Sequence, residues 1–539
     1  MKKLTQTKIA LYTIGFITLF NNYSFFKKTL EVYPIEMNNI VFLLSLPIVI
    51  IALTIFLFSL VQSKYTTKPL LIFMLIISSL TGYFMNTYHV IIDDDMIRNM
   101  MQTNLKESMD LLSLKEILYF IFLGLIPSYF IYKAEINYRK FKVEFYSRVK
   151  VIIGSLLIML ALIFIFSQHY TSFAREHKPL RFTINPTYWI YSIGKYIGTT
   201  FGNGTLEFKK IGEDATVKRE KKELPKLVIM VVGEAVRADH FSLNGYKRET
   251  NPLIKREKII NFPNISSCGT STAISVPCMF SVYSRSEYSY KKGISTENVL
   301  DVLNHTNSID ILWRDNNSDS KGVATRIEYE DYKSDKKNSI CTEGECRDEG
   351  MLVGLDTYIE QHSHKDILIV LHQMGNHGPA YYKRYPKAYE KFKPVCKTNQ
   401  LEECTAQEIT NGYDNAILYS DYFLAKTINF LKTFKSTHQT AMIYMADHGE
   451  SLGENGLYLH GLPYFIAPKA QTNVASFMWL NQTMQKNFNI ERIQQNREQE
   501  YSQDNLFHTL LGLFNVETKV YNKEMDILKK KGKTDSTFE

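Results

Sequence analysis

The chain is 539 residues long, with 63 Lys+Arg against 55 Asp+Glu, a formal net charge of +8 and a mean hydropathy of −0.17. That average conceals a division, because long uncharged apolar runs crowd into the first 167 positions while composition after about residue 205 is that of an ordinary globular domain. A wholly soluble protein is therefore excluded, and the basic excess is too dispersed, with no arginine-aromatic platform, to serve a nucleic-acid partner.

The first apolar run, residues 9–26, follows Lys2, Lys3 and Lys8 and is interrupted by Asn21 and Asn22. No small-residue cleavage site follows it, so it reads as a span and not as a removed signal. Ile40–Val61 carries no charge over 22 residues, which at 1.5 Å per residue reaches about 33 Å and crosses a hydrocarbon core of about 30 Å. Residues 69–90 repeat that pattern. In the loop 91–116, Met100, Met101, Leu105, Met109 and Leu112 recur at helical spacing, which predicts a helix lying in the plane of the membrane interface. Two shorter runs follow, residues 117–132 with an internal Gly124 and Pro127, and residues 151–167. The prediction is five spans.

Orientation follows from the flanking basic residues. With the N-terminus inside, the inner segments hold eleven Lys and Arg and the outer loops five. An odd number of spans then places residues 168–539 on the far side, which in a bacterium is the periplasm, and makes the protein a multi-pass inner-membrane protein. All six cysteines, Cys268, Cys278, Cys341, Cys346, Cys396 and Cys404, fall in that region. Their local couples close short loops and fit an oxidising compartment, against the alternatives of six unrelated thiols or a zinc cluster, for which no CxxC spacing is present.

Residues 169–222 read as a tether, with Tyr188, Trp189, Tyr191 and Tyr196 as interface-seated aromatics. From Lys226 onward, short aliphatic runs at 227–232, 309–313, 367–371 and 442–445 alternate with helical stretches. Continuous apolar strands with long connections predict an α/β domain with a parallel sheet buried on both faces. Polar clusters follow these strands at Gly233-Glu234, Asp315-Asn316-Asn317, Asn376-His377-Gly378 and Asp447-His448-Gly449, and open α/β sheets gather ligands outside the carboxyl ends of their strands. The expected organisation is a transmembrane domain over 1–168, the tether over 169–222 and a catalytic domain over 223–539, with a basic tail at 529–533.

Glu234, Asp447 and His448 supply two carboxylates and an imidazole, a donor set suited to zinc and also to manganese. A three-ligand metal site keeps a position for an activated nucleophile. The segment from Cys268 to Cys278 offers Thr270, Ser271 and Thr272 at the start of a helix, where unpaired backbone N–H groups favour a phosphate. Residue type alone leaves three hydroxyls open.

Five motifs in order carry a resemblance: Val232-Gly233-Glu234-Ala235-Val236-Arg237, the Cys268 to Cys278 segment, Trp313-Arg314-Asp315-Asn316-Asn317-Ser318, Asn376-His377-Gly378-Pro379 and Ala446-Asp447-His448-Gly449-Glu450. Together they resemble the lipid A phosphoethanolamine transferases, the family that includes the mobile colistin resistance enzymes. The resemblance extends over nearly the whole chain and implies five transmembrane helices followed by a sulfatase-like α/β domain. It implies Thr272 as the nucleophile, sharing zinc with Glu234, Asp447 and His448. It also implies His377 and His460 as phosphoryl-group or second-zinc residues, Lys321 on the substrate phosphate, and Asn99 and Glu107 near the ethanolamine head group. The implied reaction moves phosphoethanolamine from phosphatidylethanolamine to lipid A or a related envelope acceptor through a phosphothreonine intermediate, lowering surface charge and the binding of cationic peptides such as polymyxin. The competing expectations are a phosphoglycerol transferase or phosphodiesterase of the same fold, and a non-catalytic membrane-anchored binding protein.

Overall fold

A computed structural model describes residues 3–103, 105–201, 207–219 and 223–528, leaving aside the side chains of residues 105–107. Glu107, as a side chain, and the basic tail at 529–533 thus lie outside the described residues. The chain forms two compact units, one of residues 1–97 and 112–198, the other of residues 98–111 and 199–539.

The first unit is helical. Helix α1 (Gln6–Phe20) and α2 (Tyr23–Val32) meet at a bend of 57°, followed by α3 (Ile40–Val61), α4 (Thr67–Thr87), α7 (Leu114–Lys133) and α8 (Phe141–Ile165), with α5 (Asp94–Gln102) and α6 (Leu105–Leu111) between α4 and α7. Four of these helices are long and apolar enough to cross a membrane, and five spans result when the bent pair is one of them. The bend falls at Asn21 and Asn22, the residues that interrupt the apolar run, and both are buried. Asn22 and Asn185 pair reciprocally, Asn22 Nδ2 donating to the Asn185 carbonyl at 2.7 Å and the Asn185 N–H donating to Asn22 Oδ1 at 2.8 Å. Polar groups at membrane depth need partners inside the protein, and this pair provides them. Trp189 corrects the expectation of an interfacial seat: on helix α9 (Thr187–Phe201) it is buried, its indole N–H donates to Asn185 Oδ1 at 3.0 Å and its ring meets Phe73 edge-on. Tyr191 is exposed.

In the second unit, seven strands make one sheet: β1 (Lys226–Gly233), β2 (Ile259–Asn261), β3 (Ile309–Asp315), β4 (Glu328–Asp331), β5 (Asp366–His372), β6 (Gln439–Ala446) and β7 (Ser476–Leu480), in the spatial order β2-β7-β6-β1-β5-β3-β4. The five strands from β6 to β4 are parallel, and β7 and β2 continue the sheet antiparallel. Every residue of β1, β5 and β6 is buried, as a sheet covered on both faces requires. The four predicted strands are all interior; the fifth interior strand, β7, is unpredicted although all of its residues are buried. The other unpredicted strands are the edge pieces: β2 has three residues, and the sequence of β4, Glu-Tyr-Glu-Asp, carries no apolar run because it lies at the border. The cysteines pair locally as Cys268–Cys278, Cys341–Cys346 and Cys396–Cys404.

Candidate active site

The parallel register builds the site. Gly233 at the end of β1 stands opposite Ala446 at the end of β6, so the next residues, Glu234 and Asp447, leave the sheet side by side. The Asp447 N–H donates to the Gly233 carbonyl at 2.9 Å. Asp447 Oδ1 accepts the N–H of Ala235 at 3.0 Å and of His448 at 2.7 Å. Its other oxygen, Oδ2, is buried, accepts no hydrogen bond among the described residues and lies 3.4 Å from His448 Nε2. Glu234 Oε1 is 3.5 Å from that same nitrogen. One ligand atom from each of Glu234, Asp447 and His448 falls within 4.8 Å of the others, and all three residues are fully buried.

Two desolvated carboxylates pressed against one imidazole require a cation to be tolerable. The imidazole is prepared for that role. His448 Nδ1 lies 2.9 Å from the Gly449 carbonyl, which assigns a proton to Nδ1 and leaves Nε2 toward the carboxylates, and burial lowers its pKa from the ordinary histidine value. The residues present therefore fit a divalent metal.

Thr272 is the first residue of helix α10 (Thr272–Met279). Its Oγ1 donates to Glu234 Oε2 at 3.1 Å and lies 3.3 Å from His448 Nε2. Thr270 is diverted, its Oγ1 donating to the Leu462 carbonyl at 2.7 Å. The geometry thus separates two hydroxyls that residue type left equal. The Cys268–Cys278 bridge closes the segment, and the Gly461 N–H donates to the Thr270 carbonyl at 2.8 Å, tying it to the loop that carries His460.

His460 Nδ1 pairs with Glu450 Oε2 at 2.7 Å, and its ring lies 4.2 Å from that of His448 and 6.4 Å from that of His377. Glu450 also accepts the Tyr381 hydroxyl at 2.6 Å. Glu450, His448 and His460 form a second group whose ligand atoms lie within 4.8 Å of one another. Burial first, then the Arg384 guanidinium and the neighbouring histidines and Lys321, hold the His377 pKa well below the ordinary histidine value. Lys321 is buried, with Nζ 3.4 Å from the Gln102 carbonyl. Asn99 is half-buried on α5, where its carbonyl accepts the Thr103 hydroxyl at 2.7 Å.

Asn317 is a residue whose part the strand-end pattern marked without specifying. Its Nδ2 donates to Glu234 Oε2 and to the Gln373 carbonyl, both at 2.8 Å, fixing the rotation of the Glu234 carboxylate. Asp315 points the other way, accepting from the Trp313 indole and pairing with His372, each at 2.9 Å, and so supports the floor of the site. Glu450 stands inside a motif with no part assigned to it by the sequence, and Tyr381 and Arg384 carried no signal beyond nearness to one. Backbone strain gathers here too: Ala235, Lys321 and Leu459 all adopt positive φ, at 54°, 50° and 61°. Conformations of this kind cost about 1–3 kcal/mol each and persist where surrounding structure enforces them. Tyr413 does so for Ala235, its hydroxyl donating to the Ala235 carbonyl at 2.7 Å.

Gly449 follows Asp447 and His448 because a side chain cannot. A Cβ there would fall on the Ala470 carbonyl oxygen and lie 3.2 Å from Gln471 Cα. Gly449→Ala is expected to destabilise the full-length protein by about 1–3 kcal/mol, as overpacking does, and to displace His448; a thermal melt in detergent with zinc titration measures both.

Comparisons agree with this geometry. A family model described as sulfatase matches residues 226–516, and one described as phosphoethanolamine transferase EptA/EptB matches residues 50–201. The phosphatidylethanolamine transferase Mcr-2 of Escherichia coli is 44% identical over 519 residues, covering 93% of this chain and 94% of its own length. The phosphoethanolamine transferase EptA of Escherichia coli strain K12 is 38% identical over 524 residues, covering 95% and 94%. Among solved structures, the integral membrane lipooligosaccharide phosphoethanolamine transferase A from Neisseria meningitidis matches with a TM-score of 0.93 at 34% identity, covering 98% of this chain and 99% of that one.

Proposed function

The chain belongs to the phosphoethanolamine transferase family, and from that premise we propose that it moves phosphoethanolamine from phosphatidylethanolamine to lipid A on the periplasmic face of a bacterial inner membrane. In this reading residues 1–168 span the membrane, 169–222 tether, and 223–539 form the catalytic domain. The observation that carries it is the convergence of Thr272 Oγ1 with Glu234 and His448 at the end of a buried parallel sheet.

Glu234, Asp447 and His448 would hold a zinc ion. When bound, it supplies Lewis-acid stabilisation of negative charge on the threonyl and phosphoryl oxygens. The chain's own groups do the rest. The Thr272 hydroxyl, already donating to Glu234 Oε2, has a proton acceptor as Oγ1 attacks the phosphorus of the lipid. The bond from phosphorus to the glycerol oxygen breaks, diacylglycerol leaves, and phosphoethanolamine remains esterified to Thr272. His460, held through Nδ1 by Glu450, would line the phosphoryl group and pass a proton to the departing oxygen, while His377, whose imidazolium form burial and the Arg384 charge disfavour, would hydrogen-bond a phosphoryl oxygen. Lys321 adds positive charge beside His377. A phosphate oxygen of the acceptor would then attack the same phosphorus, the acceptor's own proton replacing the one that His460 gave up, and Thr272 would depart with the proton held at Glu234 Oε2.

Mass spectrometry of lipid A from cells with and without the gene tests the acceptor. The expected result is a phosphoethanolamine increment on lipid A and a raised polymyxin inhibitory concentration. An unmodified lipid A and unchanged inhibitory concentration, with the protein at normal level in the membrane, would overturn it. A phosphoglycerol adduct on Thr272 would instead reassign the donor.

A further inference from the structure

Residues 98–111 are flanked in sequence by residues of the first unit, yet they belong to the second. Three attachments hold this strap to the domain that carries Thr272. At its start the buried Arg98 lays its guanidinium 3.6 Å from the ring centre of Tyr290 and donates to Thr199 Oγ1 and Thr200 Oγ1, each at 3.3 Å. Midway, the Gln102 carbonyl accepts from Lys321 Nζ. At its end Asp110 is clamped: Oδ2 accepts from Arg384 Nη2 at 2.7 Å, Oδ1 from Lys383 Nζ, and its carbonyl from Asn399 Nδ2.

Arg384 is the informative partner. Its side chain is 2% exposed, and its three nitrogens diverge: Nη2 to Asp110, Nη1 to Glu345 Oε2 at 3.1 Å, and Nε to the His377 carbonyl at 2.7 Å. A rigid planar fork transmits orientation between the groups it bonds. Asp110, Arg384 and His377 therefore form a hydrogen-bonded line from the strap to the main chain of a histidine in the site. Burial pushes the Asp110 carboxyl up, but Arg384 and Lys383 outweigh it and hold it below the ordinary carboxylate range, so the clamp is charged at neutral pH.

We propose that Asp110 is a positioning residue for the transfer reaction: through Arg384 it holds the strap that carries Asn99 and Gln102, and the main chain of His377, in the one geometry that receives the head group of the lipid donor. This rests on the reading of the site as a phosphoethanolamine transferase. Asp110 touches no reacting atom, so its loss weakens donor capture and leaves the chemical machinery assembled.

Full-length Asp110→Asn, purified in detergent and loaded with zinc, is expected to raise KM for a fluorescent phosphatidylethanolamine about tenfold, within the range that an ångström of misplacement costs, while kcat stays within about threefold. Asp110→Glu is expected to recover most of the loss. An unchanged KM in Asp110→Asn overturns the proposal. Turnover of a phosphoglycerol lipid instead would sink the reading of the donor, whereas the KM shift, read on that lipid, would still decide the role of Asp110.

Discussion

Thr272→Ala is expected to reduce transfer by a factor on the order of 10⁵ or more, the scale on which loss of a covalent nucleophile falls in enzymes whose groups act as a unit. The expectation follows from placement. Thr272 Oγ1 lies within hydrogen-bonding reach of both Glu234 and His448, whereas Thr270 is committed to the Leu462 carbonyl and cannot substitute. The side chain is buried at the first turn of α10, but alanine removes only one oxygen and one methyl group, so the melting temperature should move little. Thr272→Ser keeps the hydroxyl and should retain partial activity. Two measurements decide the matter: turnover of a fluorescent phosphatidylethanolamine, and mass spectrometry of the tryptic peptide after brief exposure to donor. A Thr272→Ala protein that still turns over donor at more than a trace rate would remove the covalent intermediate from the mechanism.

The second large effect is expected from the metal ligands. Asp447→Asn preserves Oδ1, which accepts the Ala235 and His448 N–H groups, and replaces Oδ2 with an amide that donates. That donor faces His448 Nε2, where an acceptor stood. Changes one shell further out cost about 10–100-fold in metal affinity, and a ligand inversion should cost more. Zinc titration by calorimetry reads the affinity directly. Activity should fall to background, and chelation of the wild-type protein should do the same and be reversed by added zinc. Stability gives an independent readout, because a ligand present at 100 times its dissociation constant stabilises the fold by about 2.7 kcal/mol. Stripped wild-type protein should therefore melt lower than loaded protein, and Asp447→Asn should melt alike in both conditions. Equal melting of stripped and loaded wild type would show that Glu234, Asp447 and His448 hold no ion.

The Asp110 clamp differs in kind from these two. In the proposed mechanism Thr272 and Asp447 act on reacting or coordinating atoms, and their loss is expected in kcat. Asp110 acts through Arg384, so its loss is expected in KM.

Much of the fold was legible in the chain because its signals are local. An uncharged run such as Ile40–Val61 has one way to satisfy its backbone in lipid, and a run such as residues 442–445 belongs to a strand buried on both faces. Glu234, Asp447 and His448 were legible because a polar cluster directly after a buried strand has little to do with packing. The bend between α1 and α2 was half legible: Asn21 and Asn22 marked a break, but the partner that made it tolerable, Asn185, lies 163 residues from Asn22. Trp189 misled for the same reason, since an aromatic beside apolar helices reads as interfacial until Asn185 and Phe73 close around it.

By itself the sequence determined which segments are apolar enough to span, four of the five interior strands and which residue types stand at their carboxyl ends, since each depends on a residue and its near neighbours. The family resemblance pointed to Thr272, but only the tertiary structure showed its hydroxyl beside Glu234 and His448 with that of Thr270 turned to the Leu462 carbonyl, Asn317 fixing Glu234 from 83 residues away, and Asp110 meeting Arg384 across 274. A charge-assisted hydrogen bond depends on distance and angle in space, and separation along the chain carries no record of either.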